Sequence, residues 1–137
     1  MRAMNPIFVV EDDMDIRASI AEVLRDEGYD VEEYEDGERA LGAILEGKRP
    51  SLVLIDLLMP IMSGEKFTLE LRANAEVCAT PIVLITGAGA HPPGIEVLRK
   101  PFELEDLLRV VGRHCGRQPS SWGDDRKGGL AAQSEAG

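Results

Sequence analysis

The 137-residue sequence has few cysteines, few histidines and no long apolar segment. No run approaches the roughly 18 consecutive apolar residues that a membrane-spanning helix needs, so we expect no membrane span. Cys78 and Cys115 have no CxxC partner and no histidine at metal-binding spacing, so both are interpreted as inert thiols; one disulfide between them is conceivable but not required. Residues 1–10 lack a long apolar stretch followed by a cleavage site of small residues, so we expect a cytoplasmic protein rather than an exported one.

Basic residues are also scarce. The chain carries 15 Lys and Arg against 25 Asp and Glu, which gives a formal net charge of −10. A nucleic-acid-binding surface needs clustered basic side chains on the phosphates, so we expect no nucleic-acid partner. The length and the 44% hydrophobic content are those of one globular domain.

Short apolar runs alternate with segments of helical periodicity along the chain. This alternation predicts an α/β fold with a doubly wound, five-stranded parallel sheet. The predicted strands are 7–10, 31–34, 52–55, 82–85 and 95–98, and the predicted helices are 15–27, 36–46, 64–74 and 103–114. The expected inward stripes are Ile16, Ile20, Val23 and Leu24; Ala40, Leu41, Ile44 and Leu45; Phe67, Leu69 and Leu71; and Leu104, Leu107, Leu108 and Val111, with Arg17, Glu22, Arg25 and Asp26 outside.

The pattern stops at Cys115, which predicts a folded domain over residues 1–114 and a flexible C-terminal tail over 115–137. The tail contains five glycines, three serines and scattered charges, and this composition buries too little surface to offset the ordering entropy. The alternative is a short docking segment with Trp122 as its anchor.

Polar residues follow four of the predicted strands. Glu11 and Asp12 follow the first, Asp56 the third and Thr86 the fourth, while Lys100 follows the fifth. The carboxyl ends of parallel strands meet at one edge of the sheet, where ligands bind. Several carboxylates there stay ionised only around a cation, and an all-oxygen site suits Mg²⁺. A carboxylate in this setting can attack phosphorus and form an acyl phosphate, with the lysine neutralising charge on the transferred group.

Each of these residues also has an ordinary structural explanation. An acid after a strand is commonly a turn residue or a helix N-cap, and Asp13 or Asp15 fits that role. Asp56 alone could be a loop acid, Thr86 a simple strand-end hydroxyl, and Lys100 part of a turn before proline. Their joint occurrence at separate strand ends, in this order, favours a shared site.

Four motifs carry a resemblance to a known family. They are VVEDD at 9–13, LIDLLMPIMSG at 54–64, PIVLITG at 81–87 and KPF at 100–102. The chain resembles the receiver domain of bacterial two-component response regulators over roughly residues 5–114. The resemblance implies a flavodoxin-like receiver fold and a phosphoacceptor function in a phosphorelay.

The resemblance also implies a metal site. Asp12 resembles the acid that binds Mg²⁺ directly, and Glu11 the acid that binds it through water. Asp56, the residue that resembles the phosphoacceptor, and the backbone carbonyl of Leu58 would complete the protein ligands.

Two further residues take catalytic roles by resemblance. Thr86 resembles the hydroxyl residue that moves onto the phosphoryl group, and Lys100 the lysine that pairs with it. Pro101 resembles a proline whose preceding peptide bond is often cis.

The implied phosphodonor is a histidine kinase or a phosphotransfer protein, docking on the first helix near Ile16 and Ile20. The 137 residues contain no recognisable output domain, so we expect the signal to leave by contact with an unknown downstream protein, by phosphate transfer, or not at all if the chain is a phosphate sink. The sequence leaves the oligomeric state open.

The segment between Thr86 and Lys100 departs from the family pattern. It holds thirteen residues, with Pro92 and Pro93 adjacent and glycines on either side, so we predict that the family's fourth helix is short or absent. Val97 stands where the family has an aromatic switch residue. Leu58 and Ala88 offer no group that could orient water, so we expect slow hydrolysis of a phosphoaspartate.

Three other functions compete with this interpretation. The main alternative is a receiver-like interaction scaffold that phosphorylation does not switch. A hydrolase with an aspartyl nucleophile usually has a second acid two residues later, where this chain has Leu58. A dinucleotide enzyme is disfavoured because the Gly87-Ala88-Gly89 segment opens no helix and lacks a properly spaced third glycine.

Overall fold

A computed structural model describes residues 5–87 and 94–115 of the chain. Strands and helices alternate as predicted; β1 and β2 have the predicted bounds, and the bounds of the other elements differ from the predicted ones by one or two residues. They are β1 (Ile7–Val10), α1 (Met14–Asp26), β2 (Val31–Tyr34), α2 (Gly37–Leu45), β3 (Leu52–Asp56), α3 (Gly64–Arg72), β4 (Ile82–Thr86), β5 (Glu96–Arg99) and α4 (Leu104–Cys115).

The five strands form one parallel sheet in the order β2-β1-β3-β4-β5. The predicted doubly wound α/β fold is therefore confirmed. The strand order reverses direction between β1 and β3, and in such sheets ligands bind beyond the carboxyl ends of the strands at this point. The register pairs Val10 with Ile55, so the residues that follow β1 emerge beside the end of β3.

The core has two parts, one on each face of the sheet. Ile7 and Val9 pack with α1 and α4 on one face. Phe8 and Val10 pack with α2 and α3 on the other face. The central strands β1, β3 and β4 are buried along their whole length, which explains why their sequences are continuous apolar runs rather than alternating ones.

Four apolar residues that were expected to face inward are instead exposed, so that part of the prediction is wrong. Ile16 is 39%, Leu45 53%, Leu69 66% and Leu104 52% exposed. Leu69 lies two positions from both Phe67 and Leu71, which is about 200° round a helix and therefore on the opposite face. Ile16 and Leu104 lie in the first turns of their helices, while Leu45 is the last residue of α2.

The edge strand β2 is protected by charge. Glu32 pairs with Lys48 at 3.0 Å, and Glu33 pairs with Arg25 at 3.0 Å and Arg17 at 3.5 Å. Charged side chains on an edge strand oppose pairing with a further strand. The acidic sequence of β2 is thus balanced by basic residues from α1 and from the loop after α2.

The ends of α1 use the local chemistry that its sequence suggests. The Asp13 side chain accepts hydrogen bonds from the backbone N–H groups of Asp15 and Ile16, at 3.0 and 3.1 Å. Asp13 is therefore the N-cap of the helix. Gly28, just beyond the C-terminus, has φ 95°, a conformation that glycine adopts without strain.

The connection from β4 to β5 is short, at nine residues. Gly87, Gly94 and Ile95, its described members, are not helical. The prediction of a shortened or absent helix here otherwise falls on residues 88–93, which lie outside the described ranges. The predicted tail over 115–137 also lies outside them, apart from Cys115, which is the last residue of α4. Within residues 5–87 and 94–115 there are four helices, and none of them has the length and apolar character needed to cross a membrane.

Candidate functional site

Three carboxylates converge at the carboxyl edge of the sheet. Glu11 and Asp12 follow β1, and Asp56 is the last residue of β3. One carboxylate oxygen from each residue lies within 4.8 Å of the others. The parallel pairing of β1 with β3 brings these sequence-distant acids together, as the motif spacing predicted.

Lys100 brings a positive charge to the same cluster. Its Nζ lies 3.3 Å from Asp56 Oδ2 and 3.7 Å from Glu11 Oε1. The backbone N–H of Lys100 donates to the Thr86 carbonyl at 2.8 Å, which anchors the end of β5 to the end of β4. The Lys100–Pro101 peptide bond is cis, in agreement with the expectation from the sequence.

Asp56 is held from two sides. Its side chain is largely buried, and Oδ1 accepts a hydrogen bond from the Leu58 backbone N–H at 3.1 Å. Oδ2 faces the Lys100 ammonium. The Leu58 side chain is 68% exposed and points no polar group at the carboxylate.

Gly64 allows α3 to approach the back of Asp56 closely. The Gly64 N–H donates to the Leu57 carbonyl at 2.9 Å. A Cβ at position 64 would lie 2.9 Å from both the Asp56 carbonyl oxygen and Leu84 Cδ2. This glycine is therefore required by the packing beneath the site.

Glu11 is an incompletely satisfied buried acid. The residue is 2% exposed, and its Oε2 accepts from the Asp13 backbone N–H at 3.2 Å. Among the described residues, nothing donates a hydrogen bond to Oε1. Burial raises the pKa of Glu11 to about 7, and the charge of Asp56 adds to this effect, while the Asp13 N–H and Lys100 oppose it.

These residues fit a divalent cation. Three carboxylates lie close together, two of them share the Lys100 ammonium, and one buried oxygen lacks a hydrogen bond within the described part of the chain. Hard oxygen ligands are those that Mg²⁺ prefers. A cation at this edge would relieve both the repulsion and the unmet hydrogen-bonding capacity.

Thr86 lies at the same edge. It is the last residue of β4, buried, and in register with Arg99 on β5. The strand order therefore places Thr86 between the ends of β3 and β5, which carry Asp56 and lead to Lys100. All of the predicted site residues lie at this edge, and Asp13, which was given no metal role, caps α1 instead.

Sequence reasoning missed one residue beside the site. Arg17 was expected to face solvent, but only 14% of its side chain is exposed, and its Nη1 donates to the Glu11 backbone carbonyl at 2.7 Å. Helical side chains lean toward the helix N-terminus, so an arginine in the second turn can reach back to the preceding strand end. The position of Arg17, four residues after the N-cap, was the available signal.

Comparison with known proteins agrees with this geometry. The family described as "Response regulator receiver domain" matches residues 7–111. The chain belongs to this family. The receiver is 36% identical over 113 residues to the DNA-binding response regulator MtrA of Mycobacterium tuberculosis, covering 77% of this chain and 48% of MtrA. It is 31% identical over 113 residues to the probable transcriptional regulator ycf29 of Cyanophora paradoxa, covering 77% and 53%.

Solved receivers share the fold over nearly their whole length. The chemotaxis protein CheY4 of Vibrio cholerae matches with a TM-score of 0.72 and 31% identity, covering 81% of this chain and 98% of CheY4. The receiver domain of the sensor histidine kinase PA1611 from Pseudomonas aeruginosa matches with a TM-score of 0.75 and 29% identity, covering 84% and 100%. The PA1611 structure has a magnesium ion coordinated in its active-site cleft. The chain spans about half the length of the curated relatives it matches.

Proposed function

We propose that this receiver accepts a phosphoryl group on Asp56, from a histidine kinase or a phosphotransfer protein, in a Mg²⁺-dependent reaction. The observation that carries the proposal is the cluster of three carboxylates within 4.8 Å, with Lys100 Nζ 3.3 Å from Asp56 Oδ2. Membership of the receiver family supports the same role.

In the proposed reaction, a carboxylate oxygen of Asp56 forms a bond to phosphorus. The phosphorus–nitrogen bond of the donor phosphohistidine breaks, and the donor imidazole leaves with the electron pair. The Leu58 N–H and Lys100 orient the Asp56 carboxylate before transfer, since each contacts a different oxygen. After transfer, Lys100 balances charge on the phosphoryl oxygens, and the Thr86 hydroxyl donates a hydrogen bond to one of them.

Glu11, Asp12 and Asp56 would hold the Mg²⁺, and the Leu58 carbonyl is the proposed backbone ligand. When bound, the cation supplies charge neutralisation for the transferred group. Glu11 Oε1 supports this assignment. Within the described residues it accepts no hydrogen bond, and the Lys100 ammonium at 3.7 Å is beyond hydrogen-bonding distance, so this buried oxygen is costly without a further cation.

The proposal includes a long-lived phosphoaspartate. The side chain two residues after Asp56 is Leu58, which has no group to orient an attacking water. We expect Leu58→Asn to shorten the half-life several-fold. The measurement is decay of the phosphorylated mass after removal of the donor, and a wild-type half-life of seconds would contradict the expectation.

Other parts of the proposal concern context. We propose that residues 1–114 form the receiver and that 115–137 form a flexible tail. We also propose a cytoplasmic location beside the kinase, and a downstream protein rather than a nucleic acid as the direct contact of this acidic domain.

The decisive experiment is phosphorylation by acetyl phosphate, followed by intact-mass spectrometry. The wild type should gain the mass of one phosphoryl group only when Mg²⁺ is present, and Asp56→Asn should gain none. Asp13→Asn is the matched control, because asparagine caps a helix as well as aspartate does and this variant should be labelled like the wild type. A wild type that gains no mass would favour the interaction-scaffold alternative.

A further inference from the structure

A partly buried arginine from α1 contacts the loop that carries the acidic pair. Arg17 Nη1 donates to the Glu11 backbone carbonyl at 2.7 Å. Its Nε lies 3.5 Å from Glu33 Oε1 on β2, and its backbone N–H donates to the Asp13 carbonyl at 2.9 Å. The side chain thereby joins α1, the edge strand and the end of β1.

The Glu11 backbone is restrained from both sides by these contacts. Its N–H donates to the Tyr34 carbonyl at 3.1 Å, which continues the pairing of β1 with β2 for one residue beyond the strands. Arg17 holds the carbonyl of the same residue. The next residue, Asp12, is exposed.

We propose that Arg17 is a positioning residue for the metal site: it fixes the peptide between Glu11 and Asp12, so that both carboxylates face the cation. This inference rests on the proposed function. Groups that orient metal ligands through a hydrogen bond typically change metal affinity by about 10- to 100-fold when they are removed.

The sign of the effect distinguishes positioning from simple electrostatics. Arg17 is a positive charge beside an acidic cation site. If it acted only through its charge, removing it would tighten Mg²⁺ binding, because like charges repel. If it acts by orienting the Glu11–Asp12 peptide, removing it weakens binding.

Arg39 offers a matched control. It lines the same cleft as Arg17, Glu33, Tyr34 and Glu35, beside the end of β2. Among the described residues, its side chain pairs with Glu35 and Asp36, at 3.1 and 3.3 Å, and neither belongs to the loop after β1. Arg39→Met therefore removes the same charge nearby without releasing the acidic pair.

The test is to titrate the full chain with MgCl₂ and to measure the binding by isothermal titration calorimetry. Arg17→Met should weaken Mg²⁺ binding about tenfold, Arg39→Met should leave it unchanged or tighten it, and Arg17→Lys should recover most of the loss. Amide hydrogen exchange at residues 11–13 should accelerate in Arg17→Met and not in Arg39→Met. Arg17→Met that binds Mg²⁺ as the wild type does, or more tightly, would overturn the inference.

Two controls separate the inference from the proposed function and from misfolding. Phosphorylation by acetyl phosphate is measured in parallel: a wild type that binds Mg²⁺ without being phosphorylated refutes the proposed function, while the titration still decides the role of Arg17. A wild type that binds no Mg²⁺ overturns both. If Arg17→Met does not fold, Arg17→Gln decides, since its shorter, uncharged side chain should lose the hydrogen bond to the Glu11 carbonyl and weaken Mg²⁺ binding about tenfold as well.

Discussion

The receiver contains two acid–base clusters that differ in how their charges are balanced. At the start of β5, Glu96 contacts Arg113 and His114 from the last turn of α4, with His114 Nε2 2.7 Å from Oε1. At the other end of the strands, Glu11 and Asp56 share the single ammonium of Lys100. Glu96 therefore has two basic partners, whereas Glu11 and Asp56 share one.

The pKa values of the two glutamates move in opposite directions. Burial pushes the pKa of Glu96 upward, but hydrogen bonds from Arg113 and His114 outweigh it, so the pKa lies below its ordinary value. Burial raises the pKa of Glu11 to about 7, and Lys100 does not compensate. At Glu96 the carboxylate is balanced by basic partners, and these contacts join α4 to β5. The cluster at Glu11 is short of positive charge, which is the expected state of a site built to receive a cation and a phosphoryl group.

The largest expected effect comes from removing the Lys100 ammonium from the cluster of Glu11 and Asp56. Lys100→Met should slow phosphorylation of Asp56 about 100-fold, because it removes a fixed charge that stabilises the transferred group. Arg113→Met should leave the rate close to that of the wild type, because Glu96 is remote from the reaction. The rates are measured by mass spectrometry during incubation with acetyl phosphate, and equal rates for wild type and Lys100→Met would contradict the assignment of Lys100.

A second prediction concerns a substitution at Gly64, where α3 packs closely against the backbone beneath the acidic cluster. Gly64→Ala should destabilise the fold by about 2 kcal/mol, since its Cβ would lie 2.9 Å from the Asp56 carbonyl oxygen and force α3 away. Gly42→Ala is the control, because a Cβ there meets nothing within 4 Å and alanine favours a helix interior. Urea unfolding of both variants gives the comparison. A Gly64→Ala protein as stable as Gly42→Ala would show that the close approach is not required.

A third prediction compares the contributions of Glu11 and Glu96 to the free energy of unfolding. Without divalent cations at pH 8, Glu11→Gln should increase the free energy of unfolding by about 1 kcal/mol, because it removes a buried charge that is poorly compensated. Glu96→Gln should decrease it by about 0.5 kcal/mol, the typical value of a partly exposed ion pair. Chemical denaturation measures both. If both substitutions changed the free energy of unfolding in the same direction, the proposed difference in charge balance between the two clusters would be wrong.

The smallest effect concerns pH. The pKa of Glu96 is lower in the folded protein than its ordinary value of 4.5, so its ion pairs stabilise the fold above about pH 4.5. This contribution is lost as the pH falls through the folded-state pKa. The stability difference between wild type and Glu96→Gln should therefore be present at pH 7 and shrink below pH 4.5, as measured by urea unfolding across this range. If this stability difference were as large below pH 4.5 as at pH 7, the stabilising role of the ionised Glu96 would be contradicted.

Much of the fold was predictable because the relevant signals are local. Continuous apolar runs marked β1, β3 and β4, and Asp13 was one of the two acids interpreted as a turn residue or a helix N-cap. The exposed Leu69 shows where this reasoning fails. An apolar residue in a helical segment indicates a buried stripe only if it lies on the face that contacts the sheet.

The site residues were identified by their order along the chain, yet their chemistry depended on tertiary structure. The amino-acid sequence by itself determined the alternating elements and the identities of the acids, the threonine and the lysine at the strand ends. Only the tertiary structure decided that Glu11 is buried with one oxygen unbonded within the described residues, and that Arg17 folds back onto its carbonyl. Burial, hydrogen-bond partners and pKa depend on which groups from distant segments come within a few ångströms of one another, and side-chain spacing along one segment does not contain that information.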